Sequence, residues 1–124
     1  MITKTLWAAV ALALVAGPVY ADCTYPAAPD KIPDGNTATL DEMMAAKKVI
    51  KDYNDATTAY LGCLKDEHEA ALAKAGDRIS DKDKANLQRI EAEKHNAAVT
   101  QLTSVADRFN EQVRAYKAKN DKKE

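Results

Sequence analysis

The chain has 124 residues, of which 30% are charged and 6% aromatic, with 18 Lys and Arg against 19 Asp and Glu. Nothing in a formal charge of −1 suggests nucleic acid or an anionic membrane as partner. Abundant alanine and scarce aromatics are the make-up of a long-helix protein.

Residues 1–21 read as a leader. Lys4 supplies a short basic start, and Leu6 to Ala16 is an apolar run of eleven residues. Gly17 and Pro18 then break any helix, and Val19-Tyr20-Ala21 offers small side chains at the two positions a signal peptidase reads. Eleven helical residues rise only about 16 Å, against a bilayer core of roughly 30 Å, so no transmembrane anchor is expected once the leader is cleaved after Ala21. A lipoprotein signal is disfavoured because Asp22 precedes Cys23. Losing Lys4 leaves 103 residues with 17 basic and 19 acidic side chains, a charge of −2 and enough chain for one domain. Its two cysteines, Cys23 and Cys63, are an even count in an exported chain. That argues for one disulfide in the periplasm, with the extracellular space as the alternative compartment. Two separate thiols, or a bridge to another chain, are the competing readings.

Residues 22–38 form a Pro-rich strap. Pro26, Pro29 and Pro33 favour an extended course and forbid helix. Asp34-Gly35-Asn36 is a turn signal. Thr39 opens the first helix as N-cap with Glu42 three residues on, a capping box, and Asp41 and Glu42 suit the positive end of the dipole. A heptad frame with Met43 at a places Ile50, Thr57, Leu64 and Ala71 at a and Ala46, Tyr53, Tyr60 and Glu67 at d. This is a coiled-coil-like apolar seam that weakens after Leu64. Position g (Glu42, Val49, Ala56, Cys63, Ala70) is a second stripe of small side chains leading to a thiol.

The lengths allow the strap to return along this helix. Leu40 to Cys63 spans about 35 Å as helix, and the strap from Cys23 to Thr39 reaches about 50 Å when extended. The expected docking groove is Val49, Ala56 and Gly62, filled by Tyr25, Pro26, Ala28, Pro29 and Ile32. Gly62 costs a helix about 1 kcal/mol relative to Ala, a cost explained by close approach of the strap; a merely tolerated glycine is the alternative. Reduction is expected to free the strap and expose Val49 and Ala56.

The first helix is expected over 40–75, with Gly76 as a left-handed C-cap and Lys74 and Arg78 near the negative end. Ser80 caps a second helix over 81–119, with Asp83 in the reciprocal position. Its stripe is Leu87, Ile90, Ala97 or Ala98, Leu102, Val105, Phe109, Val113 and Tyr116. Two matched helices joined by a tight loop predict an all-α, antiparallel hairpin crossing at roughly 20°. Pairing about the loop sets Tyr53 near Leu102, Ile50 near Val105, Ala46 near Phe109, and His95 level with Tyr60. Residues 120–124 are expected to form a flexible tail. Leu61, Leu72 and Met44 lie off both stripes and leave room for self-association into a four-helix assembly.

No constellation points to catalysis, a cofactor or a metal. His68-Glu69-Ala70-Ala71-Leu72 opens like a zinc-protease helix but has Leu72 where the second histidine is required. His68 and His95 read as solvated surface residues. The carboxylate pairs Asp41–Glu42 and Asp81–Asp83 are explained by capping. Tyr53 and Tyr60 read as core. Lys117, Lys119, Lys122 and Lys123 form a solvated basic end diluted by Asp121 and Glu124.

Several segments carry a family likeness: Pro33-Asp34-Gly35, Ala38-Thr39, Glu42-Met43, Tyr53 and Tyr60-Leu61-Gly62-Cys63. His95-Asn96-Ala97-Ala98-Val99, Val105-Ala106-Asp107-Arg108-Phe109-Asn110 and Val113-Arg114-Ala115-Tyr116 extend it over most of the chain after the leader. Together they resemble an uncharacterised family of small exported helical proteins of Gram-negative bacteria. The resemblance implies the periplasm as compartment and brings no activity or site residue. The sequence therefore leads to a non-enzymatic helical-hairpin interaction or envelope-structural module with a protein partner or self-association. A chaperone or stress-response protein that binds exposed apolar segments is the alternative.

Overall fold

A computed structural model describes residues 22–122; the expected leader lies outside them. Two long helices pack against each other, α1 over Leu40–Ala75 and α2 over Asp81–Asp121, joined by a 3-10 turn at Gly76–Arg78. The all-α hairpin is as expected. Among the described residues no helix is long and apolar enough to cross a membrane.

Both helix starts follow from their caps. The Thr39 N–H donates to Glu42 Oε2 at 2.7 Å, and the Glu42 N–H donates back to Thr39 Oγ1 at 3.2 Å. The Thr39 N–H, and then the Thr39 hydroxyl donating to the same Oε2 at 3.1 Å, hold the Glu42 carboxyl below the ordinary carboxylate range. At Ser80 only half of this box forms. The Asp83 N–H donates to Ser80 Oγ at 3.1 Å, while the Asp83 carboxylate accepts from the Ser80 hydroxyl at 2.7 Å. Asp is one methylene shorter than Glu, so its carboxylate turns to the nearer hydroxyl. α1 ends at Gly76, whose N–H bonds Leu72 O; with φ 63° and ψ −158° the glycine has positive φ but is not the left-handed α cap expected. The chain leaves extended through Ile79 instead of curling back. α2 runs two residues beyond the expected end, taking in Asn120 and Asp121.

The buried side chains are unevenly placed. α1 buries Met43, Tyr53, Thr57, Tyr60 and Leu64, all at a or d of the heptad frame, whereas α2 buries Ala98 and Val105. Ala98, not Ala97, faces the core. Thr57 is fully buried at 0% exposure, and its hydroxyl is satisfied by donating to Tyr53 O at 2.9 Å. Between Leu64 and Ala98 no residue at all is buried. The core therefore occupies only the half of the hairpin remote from the loop.

One side-chain pairing lies about a turn from its expected level. Tyr60 clusters with Ala98, three residues beyond His95, its expected neighbour. Helical side chains lean toward the N-terminus of their own helix. In an antiparallel pair that carries a long α1 side chain farther along α2 than Cα levels suggest.

Candidate functional site

The strap determines where the core is. Cys23 and Cys63 form a disulfide with their Cα atoms 5.8 Å apart, and Cys23 and Leu61 pack against the cluster of Tyr60, Leu64 and Ala98. Tyr25 then meets the Tyr60 ring edge-on, with centroids 5.1 Å apart and planes at 72°. This is a favoured arrangement for two ring quadrupoles. Burial, with Tyr25 beside it, pushes the Tyr53 hydroxyl above its ordinary range.

At its other end the strap rests on α2. The Gly35 N–H donates to Gln112 Oε1 at 2.9 Å, and a Cβ on Gly35 would lie 1.9 Å from the Gln112 carbonyl oxygen and 2.8 Å from the Tyr116 nitrogen. Here backbone packs on backbone, a closeness that only glycine permits. Asp34 shapes the turn by accepting from the Asn36 N–H at 2.9 Å on its carboxylate and from the Ala38 N–H at 2.8 Å on its carbonyl. Lys119 closes it, donating to Ala38 O at 2.8 Å with its ammonium 4.9 Å from the Tyr116 ring centroid.

This course corrects the expected groove. Val49 is 49% exposed, Ala56 is exposed, and a Cβ on Gly62 would meet nothing within 4 Å. The strap does not run over Val49, Ala56 and Gly62. It is tied to the flank of α1 at Cys63 but seated on α2 at Gln112 and Tyr116, so it must cross the seam between the helices. That route covers Tyr60, which offers more apolar area than Val49 or Ala56. Gly62 has no close neighbour to accommodate.

Sequence reasoning missed Gln112 and Lys119. Lys119 reads as part of the solvated basic end and no sequence pattern singles out Gln112, yet both are half-buried against the strap turn. Only the Asp34-Gly35-Asn36 signal hinted that a turn had to dock somewhere. Lys117 and Lys122 are exposed, as expected for a helix end. His95 is exposed, whereas His68 is half-buried in a cleft between the helices near the loop, beside Leu64, Ala71, Leu87, Ile90 and Glu91. Beside the cleft, Glu67 and Lys94 pair across the helices at 3.4 Å. Among the described residues no three His, Cys, Asp or Glu side chains cluster so as to hold a metal ion.

Among the described residues, two surfaces are thus candidates for function. One is the seam under the strap, floored by aromatic rings and held shut by a disulfide. The other is the loop-proximal half of the hairpin, which the strap does not reach. Comparison with protein-family models, curated proteins and solved structures finds no match to this chain.

Proposed function

We propose that the protein is a non-enzymatic interaction or envelope-structural module of the periplasm, docking a protein partner or a second copy through the loop-proximal half of its hairpin. The observation that carries this reading is the absence of a core between Leu64 and Ala98. There the helices leave Leu72 and Leu87 half-buried and Ile90 37% exposed. An apolar strip left half-covered gains hydrophobic free energy when a further helix covers it. The leader expected in residues 1–21, the disulfide and the family likeness support the compartment.

The test is crosslinking in envelope extract with wild type and Ile90→Asp, helicity being checked in both. One defined crosslinked species, lost in the variant, is the expected result. Its persistence in the variant, or a smear of unrelated products, would overturn the reading.

A second reading, a chaperone that binds exposed apolar segments, draws on the strap. Residues 22–33 make no hydrogen bond to either helix among the described residues, so their covering of the Tyr60 strip is readily exchanged once the disulfide opens. Suppressed aggregation of unrelated unfolded clients by reduced protein only would favour it.

A further inference from the structure

The strap has two anchors of different chemistry. From Asp34 to Ala38 it is held by hydrogen bonds: the turn's own, Gly35 to Gln112, and Lys119 to Ala38. From Cys23 to Pro33 it is held by the disulfide, by one ring pair whose Tyr25 is still 46% exposed, and by half-buried Pro26, Ala28, Pro29, Ile32 and Pro33. Extended proline-bearing backbone satisfies its polar groups with water and has no ladder to lose on detaching.

The disulfide is also approachable. Its two sulfur-bearing residues are half-buried, not buried. Gly62 has open space where a Cβ would stand, and Ala59, one turn before Cys63, is exposed. An attacking thiolate needs such access to one sulfur.

We propose that Cys23–Cys63 is a reducible latch. An external dithiol opens it, freeing residues 22–33 as an arm hinged at Asp34 and uncovering the strip of Tyr60, Leu64 and Ala98, while the turn at Gly35 stays seated on α2. The exchange is balanced. One thiolate of the dithiol bonds to a protein sulfur and the other protein sulfur departs as thiolate. The second external thiol, deprotonated, then displaces the remaining protein sulfur. The protein gains two electrons and two protons as two thiols, and the dithiol ends as a disulfide. The latch is independent of which partner docks at the loop-proximal half.

The experiment is proton NMR of the full chain after leader removal, before and after excess dithiothreitol, with far-UV circular dichroism alongside. Helicity is expected to persist, the cross-peaks between the Tyr25 and Tyr60 rings to vanish, and the Gly35 amide to keep its exchange protection. The Cys23→Ser, Cys63→Ser double variant should match the reduced protein without any reductant. Persistence of the ring cross-peaks after complete reduction would overturn the proposal. So would collapse of Gly35 protection together with the arm, or a disulfide that native protein does not yield to dithiothreitol.

Discussion

Gly35 and Gly62 show how far one residue type depends on what surrounds it. Gly35→Ala would drive a methyl group to within 1.9 Å of the Gln112 carbonyl oxygen, so the turn must lift from α2. Overpacking of this kind costs roughly 1–3 kcal/mol, to be read from the denaturation midpoint. Gly62→Ala should do the reverse. Nothing lies within 4 Å of the new methyl, and removing a glycine from a helix interior gains about 1 kcal/mol. A loss of stability there would restore the idea that the strap approaches closely beside Cys63. Thr57 is a third case. Its hydroxyl donates to the carbonyl of Tyr53, an oxygen that already accepts the backbone N–H of residue 57 in a regular helix. Thr57→Val keeps the shape and orphans nothing, so stability should change by less than about 1 kcal/mol. Thr57→Ala opens a void at a fully buried position and should cost more.

The helices begin where their caps dictate, and the two caps should differ in strength. At the start of α1 both partners of the box are engaged, and Thr39→Ala is expected to cost about 1 kcal/mol in a chemical melt. The Glu42 carboxyl is held low chiefly by the Thr39 N–H. A group whose folded pKa is depressed contributes stability that is present above its unfolded value and lost as pH falls through its folded value. Helicity at the start of α1 should therefore hold above the ordinary carboxylate value near 4.5 and fall on further acidification, and Glu42→Gln should flatten that dependence. The pairs Lys48–Asp52, Lys51–Asp55 and Arg89–Glu93 line the solvent faces at spacing i, i+4. Such exposed pairs support helix locally and say little about tertiary stability. Helix boundaries and caps were legible in the sequence because they are set within one turn of chain. The end of α1 was half legible: Gly76 was marked as a positive-φ position, but its ψ answers to the direction of the loop.

At the scale of the molecule the strap divides a uniform-looking hairpin into two unlike halves. Residues buried by α1 all lie between Met43 and Leu64, the span facing the strap from its turn to its disulfide. Amide exchange should accordingly be slowest around Tyr53 to Leu64 and around Val105, and fast from Lys65 to Ala97, where helical hydrogen bonds have no core beneath them. The disulfide closes a sequence separation of 40 residues. In the chain-entropy model its loss costs about 4 kcal/mol, seen as a lower melting temperature in the double serine variant. The fold class, both helices, the a/d seam and the pairing of Cys23 with Cys63 were in the sequence, because heptad periodicity, caps and an even cysteine count act over short range or leave one pairing. The path of the strap was not. Val49, Ala56 and Gly62 formed a plausible groove by spacing, but the choice between that flank and the interhelical seam rests on a contact 77 residues apart, Gly35 to Gln112. Only tertiary structure sets an N-terminal turn against the end of a distant helix, since that contact depends on the hairpin having already closed.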